Sequence, residues 1–485
     1  MVTALVLVAS AAAVAGWLIP RGPLTTVDAL ITLVAALGVG FAVGWLMRSR
    51  WALLLAPAVF ALIFELARMR ADGPTVDGIR LDSLYGVIAL VGGRGVDAVL
   101  MLLPMTVGLS YGAMLAQRSS APPGHRPGLQ WMRRGFLSLA TVVVLVLVAG
   151  LLRPATTAAI VDANGDHVSG SIAQLVDVST GGHDQALMLR GASVKSPVLL
   201  ILEGGPGGTG IGRVRNSGDD LERRFVVATW DQRGASKSYK ALEPSATLTV
   251  DQMVKDTLEV VDYLRARFEK QKIYLVGSSW GTIIGTLAVQ HAPEKFAAYM
   301  GTGQMVDPFA TDRLMWAESI RDAQGRDDRS AGKLRALGPP PYDDTLDYPI
   351  AISSNPKWTQ FTHGEDYSAN SEYPASLFVR EYSLVEQLRG MAAIAETFHV
   401  LYPQLSDTDF RVDVPSLEVP VYLVEGRHEA AGRSTLARTW FNALSAPDKR
   451  WVSFQNSGHT PPYDEPSRFA HLMEDVLASS SKPAT

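Results

Sequence analysis

The sequence contains no cysteine. That absence excludes thiolate nucleophiles, cysteine-ligated zinc, iron–sulfur clusters and disulfides together, and it leaves the compartment open. No Lys/Arg run is long enough to track a phosphate backbone, and the net charge is −4 with a pI near 6.2. Nucleic acid is therefore not an expected partner. Nine histidines are present. None stands in a His-Glu-x-x-His or other compact ligand pair, so no metal and no other cofactor is expected. Charged residues are also scarce before Arg153, while apolar residues make up 47% of the whole chain. A chain of 485 residues is expected to hold more than one structural unit, here a membrane part followed by a soluble part.

A helical span needs about 20 mostly apolar residues. Residues 1–153 supply about five such runs, beginning near Val2, Val27, Trp51, Val96 and Gly135, and they read as an all-α transmembrane region. The first run lacks the basic start of a cleaved signal peptide. Arg48 and Arg50 lie between the second and third spans, and Arg118, Arg126, Arg133 and Arg134 precede the fifth. The positive-inside rule makes both segments cytoplasmic, so the chain after Arg153 is expected outside. This predicts a multi-pass protein of the cell membrane, although Arg68, Arg70, Arg80 and Arg94 then fall in an external loop. Glu65, near the end of the third span beside Arg68, reads as a paired or interfacial carboxylate.

After a polar linker, runs such as "PVLLILEGG", "RFVVATWDQRG", "KIYLVGSSWG", "FAAYMGTG", "VPVYLVEGRHE" and "RWVSFQNSGH" alternate with helical stretches. Each resembles a buried strand ending in a Gly-bearing loop, the pattern of an α/β fold with a doubly wound, mostly parallel sheet. Its functional loops are expected at the carboxyl ends of the strands. The core occupies 154–306 and 414–485. Between them, 307–413 loses the alternation and reads as a helical cap.

Gly277-Ser278-Ser279-Trp280-Gly281 fits Gly-x-Ser-x-Gly, a strained strand-to-helix turn that exposes a nucleophilic serine. The pattern alone is weak, since Gly108-Leu109-Ser110-Tyr111-Gly112 fits it too. That copy lies inside an apolar span and is assigned to helix packing. Ser279 instead follows the strand "KIYLV" and precedes a helix. A serine needs a base, and the base needs an acid to hold its tautomer. His459, after the last strand, is the expected base, ahead of His428 and of His471 on the terminal helix. Glu429 is the favoured acid, with Glu425 and Asp413 as alternatives. For the oxyanion, the N–H groups of Gly205, in "EGGPGG", and Trp280 are the expected donors.

Together "EGGPGG", "WDQRGASKS", "GSSWGT", "EGRHE" and "NSGH" resemble the prolyl aminopeptidase (proline iminopeptidase) branch of the α/β-hydrolases, from about Asn164 to the C-terminus. Glu203 departs from the histidine usual in that oxyanion loop, and Glu429 from the usual aspartate. The resemblance implies an α/β-hydrolase fold and a serine hydrolase that cleaves peptides or amides with a free N-terminus. It further implies cap carboxylates holding the substrate ammonium, for which Glu318 and Glu386 are the candidates. An esterase or lipase acting on small esters is the nearest alternative. A membrane receptor or transporter with a hydrolase-like binding domain is an alternative of another class.

Overall fold

The computed structural model describes residues 1–49, 51–118, 127–349 and 355–480, so Arg50 and Arg126 lie outside the described residues. Contacts divide the chain into two units. The first holds Met1–Asp82, Gly86–Ala155 and Tyr382–Ala392, and the second holds Ser83–Tyr85, Thr156–Glu381 and Ala393–Thr485.

In the first unit the apolar runs are helices: α1 (Val2–Leu18), α2 (Thr26–Met47), α3 (Ala52–Arg68), α4 (Leu84–Leu90), α5 (Leu103–Arg118) and α6 (Pro127–Leu152). Two π-helical turns, Val91–Gly95 and Ala98–Leu102, join α4 to α5. Among the described residues, three stretches are long and apolar enough to cross a membrane: Thr26–Met47, Leu84–Gln117 and Trp131–Leu152. Helices α1 and α3, at 17 residues each, are shorter. Glycines let α2 and α5 approach backbone to backbone. A Cβ on Gly40 or Gly108 would lie 2.1 Å from the carbonyl oxygen of Met105 or Leu37, and one on Gly112 would lie 2.1 Å from that of Phe41. The second Gly-x-Ser-x-Gly is thus a packing surface, and the Ser110 hydroxyl turns back to the Thr106 carbonyl at 2.9 Å. Glu65 is paired with Arg68 and, at 3.0 Å, with Arg94. Asp97 joins Arg68 (3.0 Å) to Arg389 (2.6 Å), a residue of the segment Tyr382–Ala392.

The second unit is built on eight strands: β1 (Ile172–Thr180), β2 (His183–Gly191), β3 (Val198–Leu202), β4 (Val226–Trp230), β5 (Ile273–Ser278), β6 (Phe296–Thr302), β7 (Val421–Gly426) and β8 (Lys449–Phe454). Their order is β1-β2-β4-β3-β5-β6-β7-β8. Strands β3 to β8 run parallel, and β1 and β2 add an antiparallel edge. Every residue of β3, β4, β5 and β7 is buried, as uninterrupted apolar runs covered on both faces must be. The sequence reading did not identify β1 and β2, because Gln174, Asp177, Asp184 and Gln185 break their apolar runs. Their two-residue turn, Gly181-Gly182 with φ of 57° and 81°, is a hairpin signal that reading passed over.

The helices that matter to the site are α7 (Ile211–Ser217), α8 (Val250–Arg267), α9 (Trp280–His291), α10 (Pro308–Ala323), α11 (Leu384–Leu401), α12 (Ala431–Ala443) and α13 (Pro466–Ser480). The insertion between β6 and β7 holds α10 and α11 with shorter helical segments and irregular backbone between them, and α11 is divided between the two units at Ala392.

Candidate active site

Ser279 follows β5 directly and caps α9 with φ 51° and ψ −118°, a backbone state that a non-glycine residue adopts only under constraint. The turn is tight enough to require its glycines. A Cβ on Gly281 would lie 2.1 Å from the Leu202 carbonyl oxygen, and one on Gly277 would lie 2.6 Å from that of Gly281. Two bonds fix the elbow to its surroundings. The Ser279 N–H donates to the Thr302 carbonyl at 2.9 Å, and the Thr282 hydroxyl donates to the Ser279 carbonyl at 2.6 Å.

His459 and Glu429 reach the same end of the sheet from the loops after β8 and β7. Those loops are joined by backbone bonds, from the Arg427 N–H to the Phe454 carbonyl (2.8 Å) and from the His428 N–H to the Ser457 carbonyl (3.0 Å). His459 Nδ1 lies 2.6 Å from Glu429 Oε2. Glu429 Oε1 accepts from the Ala430 N–H at 2.7 Å and from Arg433 at 3.4 Å. Burial alone would raise the pKa of Glu429, but His459, Arg433 and these donors outweigh it and hold the carboxyl below its ordinary range. Glu425 moves the other way, pushed up by burial and by the neighbouring Glu429 charge. The imidazole also rests on Gly303, where a Cβ would sit 2.5 Å from its Cε1. Gly303 follows Thr302, the residue that holds Ser279, so serine and histidine flank one strand end. No hydrogen bond joins them: among the described residues the Ser279 hydroxyl has no partner. Such bonds are commonly long or open before substrate binds.

The loop after β3 passes over Ser279, since a Cβ on Gly204 would lie 3.0 Å from Ser279 Cβ. Gly205 (φ 118°) takes a conformation closed to other residues. Trp280 is the first residue of α9, so its N–H precedes the intrahelical ladder. The Trp280 indole donates to Gln232 (2.9 Å), whose amide donates to the Glu203 carbonyl (3.0 Å), tying elbow and loop together. Glu203 itself is buried against Arg213 (3.1 Å) and accepts from the Tyr463 hydroxyl (2.5 Å) and the Gly204 N–H (3.1 Å). Arg213 stacks on the Tyr463 ring at 3.8 Å and donates to the Ser371 carbonyl of the insertion at 2.9 Å.

The other sequence candidates separate clearly. Glu318 on α10 lines a cleft of about 280 Å³ with Lys357, Trp358, Gln360, Arg427, His428 and Glu429, and its Oε2 is buried without a partner. Glu386 is differently employed. It lies in the first unit, where its carboxylate accepts from the Ser383 N–H at 2.7 Å as a helix cap. Asp413 is likewise a local acceptor, for the Asp409 N–H. His428 stacks on Phe361 at 4.7 Å, and His471 is exposed on α13. Two residues that the sequence reading did not single out touch the site. Gln232 lies within the quoted "WDQRG", and Arg433 carries a weak readable signal, a cation four residues after Glu429 where the loop enters a helix.

Residues 197–466 match the family described as alpha/beta hydrolase fold. YbaC, a probable aminopeptidase of Bacillus subtilis (strain 168), is 33% identical over 311 residues, which is 62% of this chain and 96% of that protein. Among solved structures, a proline iminopeptidase of Mycobacterium smegmatis is similar over 63% of this chain and 98% of its own, at 16% identity and a TM-score of 0.47. The carboxylesterase CesB (YbfK) of Bacillus subtilis is similar over 64% and 92%, at 18% identity and a TM-score of 0.40. By the family match and by the likeness to YbaC along nearly its whole length, the chain belongs to the α/β-hydrolase fold family of hydrolases.

Proposed function

We propose that this chain is a membrane-anchored serine hydrolase that cleaves small peptides or amides through an acyl-enzyme. The observation that carries the reading is the 2.6 Å contact of Glu429 with His459 Nδ1 beside a serine at positive φ. Glu429 fixes the tautomer in which Nε2 is the free base, His459 takes the proton of Ser279, and the Ser279 oxygen attacks the acyl carbon. The N–H groups of Gly205 and Trp280 receive the oxyanion, each worth roughly 3–4 kcal/mol when preorganised. His459 then returns the proton to the leaving amine. Water repeats the sequence and frees the serine.

The likeness to a probable aminopeptidase supports a substrate with a free N-terminus. The unpartnered Glu318 oxygen offers the ammonium a charge-assisted bond. The N-terminal helices anchor the enzyme in the cell membrane, with the hydrolase unit outside.

A membrane-impermeant fluorophosphonate tests mechanism and placement together. Applied to intact cells whose outer envelope has been permeabilised, it is expected to label Ser279 and nothing else in the chain. Label retained by Ser279→Ala refutes the nucleophile. Label that appears only after the inner membrane is lysed reverses the topology. Turnover of acyl esters but not of aminoacyl amides would establish the esterase reading instead.

A further inference from the structure

We infer that Arg433 is a positioning residue of this site, holding Glu429 and His459 in their working arrangement from the insertion side. The inference rests on the serine-hydrolase reading above. Arg433 stands on the first turn of α12, and its side chain is only 10% exposed. One terminal nitrogen, Nη1, lies 2.7 Å from Nδ1 and 3.2 Å from Nε2 of His459, and 3.4 Å from Glu429 Oε1. The two ring nitrogens point in different directions within the ring plane, so one donor cannot be aligned with both. The Nδ1 proton, moreover, is already directed at Glu429. The guanidinium therefore packs beside the imidazole and acts on the acid as its counter-charge.

A glutamate at the acid position makes such a part necessary. Glutamate has one more rotatable bond than aspartate, and its carboxylate must be prevented from turning away. Here Oε1 is held by the Ala430 N–H and Arg433, which leaves Oε2 alone to face the histidine.

What holds Arg433 in turn is the insertion. Its Nη2 meets Met315 Sδ at 3.7 Å, and its Nε is buried without a partner. A Cβ on Gly432 would lie 2.7 Å from Leu314 Cβ and 3.2 Å from the Met315 nitrogen, so the first turn of α12 presses directly on α10. Met315, Trp358 and Ala430 form a buried apolar cluster around that contact. The acidic groups that act on the guanidinium are Glu429, Glu425 on β7 and Asp312 on α10. Glu318 lies one turn beyond Leu314 on α10. The helix proposed to read the substrate ammonium thus also sets the position of Arg433.

The test is kinetic, on the full chain in detergent, with Arg433→Met, Arg433→Lys, Glu429→Gln and the Arg433→Met/Glu429→Gln double variant. Arg433→Met is expected to lower kcat by about a hundredfold and to leave KM within about twofold. The loss should be equal for an aminoacyl amide and an acyl ester, because Arg433 acts on the catalytic groups and not on the substrate. Arg433→Lys should recover part of it. The double variant should be no slower than Glu429→Gln alone, since the arginine works through that carboxylate. Losses that multiply in the double variant, a change confined to KM, or unaltered kcat would each overturn the inference. If Arg433→Met does not fold, Arg433→Lys decides, and full activity in it is the overturning result. Ser279→Ala separates this inference from the reading beneath it. An active Ser279→Ala refutes the serine mechanism, whereas an inactive one beside a fully active Arg433→Met refutes only the role of the arginine.

Discussion

Replacing Glu429 by glutamine changes one atom of the site and is expected to disable it. The carboxylate takes three donors: His459 Nδ1 on Oε2, and the Ala430 N–H and Arg433 on Oε1. Glutamine has one acceptor oxygen and one NH2 group. If the oxygen faces His459, the NH2 points at two donors and leaves them unsatisfied, at about 1–3 kcal/mol each. If the amide turns over, both donors are satisfied and the NH2 is offered to Nδ1. That second arrangement is the cheaper one, and it forces the proton onto Nε2, the nitrogen that must accept from Ser279. The base is then held in its unreactive tautomer. The fall in kcat should be about a hundred- to ten-thousandfold, or roughly 3–5 kcal/mol of transition-state stabilisation. The assays are kcat and KM on an aminoacyl amide and the rate of fluorophosphonate labelling at Ser279, both of which depend on the base. Near-constant KM with both rates reduced is the expected signature. Glu429→Asp should keep part of the activity, because it preserves the charge while shortening the reach. Should Glu425→Gln be the inactive variant while Glu429→Gln turns over normally, the tautomer argument fails and the acid is Glu425.

Glu318→Gln is expected to raise KM for aminoacyl amides by about ten- to a hundredfold, the worth of one charged hydrogen bond. It should leave simple acyl esters unchanged, and equal effects on both substrates would remove Glu318 from substrate binding. Glu425→Gln is expected to stabilise the fold at neutral pH. Burial lifts this carboxyl from 4.5 to about 7, so between those values the unfolded chain loses its proton first and the native state loses stability as pH rises. The thermal midpoint of the variant should match the parent near pH 4 and exceed it by roughly 2 °C or more at pH 8; a deficit at pH 8 would contradict the sign. Gly112→Val should sharply reduce folded protein, because its Cβ would meet the Phe41 carbonyl oxygen at 2.1 Å. Gly135→Val, where no atom lies within 4 Å, should be tolerated. Equal yields would show that α2 and α5 do not depend on that contact.

The parts of the fold that could be read most directly in the sequence are those in which burial is nearly complete. Strands β3 to β7 are buried almost throughout and register as plain apolar runs, the half-exposed edge strand β8 is marked by the Gly-bearing loop that follows it, and the elbow at Ser279 is written in adjacent glycines. In the β1–β2 hairpin β1 is half solvated and polar residues interrupt both strands, so its signal is a broken apolar pattern and a Gly-Gly turn, weaker than a run and easily passed over. Site residues divide in the same way. His459 and Glu429 could be placed because each follows a strand end in a fixed order. Glu386 was drawn toward substrate binding by its charge, although Ser383-x-x-Glu386 is itself a local capping signal that the structure uses. Arg433 contacts His459 across 26 residues of sequence, and that contact is decided by how closely Gly432 allows α12 to meet α10. Nothing in the local pattern encodes a distance of that kind.

The pairing of Glu203 with Arg213 also constrains how this loop can change over generations. Each is buried, each neutralises the other, and Tyr463 and Ser371 are committed to the same cluster. Substituting one alone strands the other charge, at a cost of about 3–5 kcal/mol for a buried pair. A histidine at position 203, the residue usual in the oxyanion loop of the aminopeptidases this chain resembles, would leave Arg213 with only the part-exposed Glu372, 3.7 Å away, as its anion. The two positions are therefore coupled: changing both together should cost less than the sum of changing each alone. Anyone grafting the common loop into this scaffold must transplant position 213 along with it.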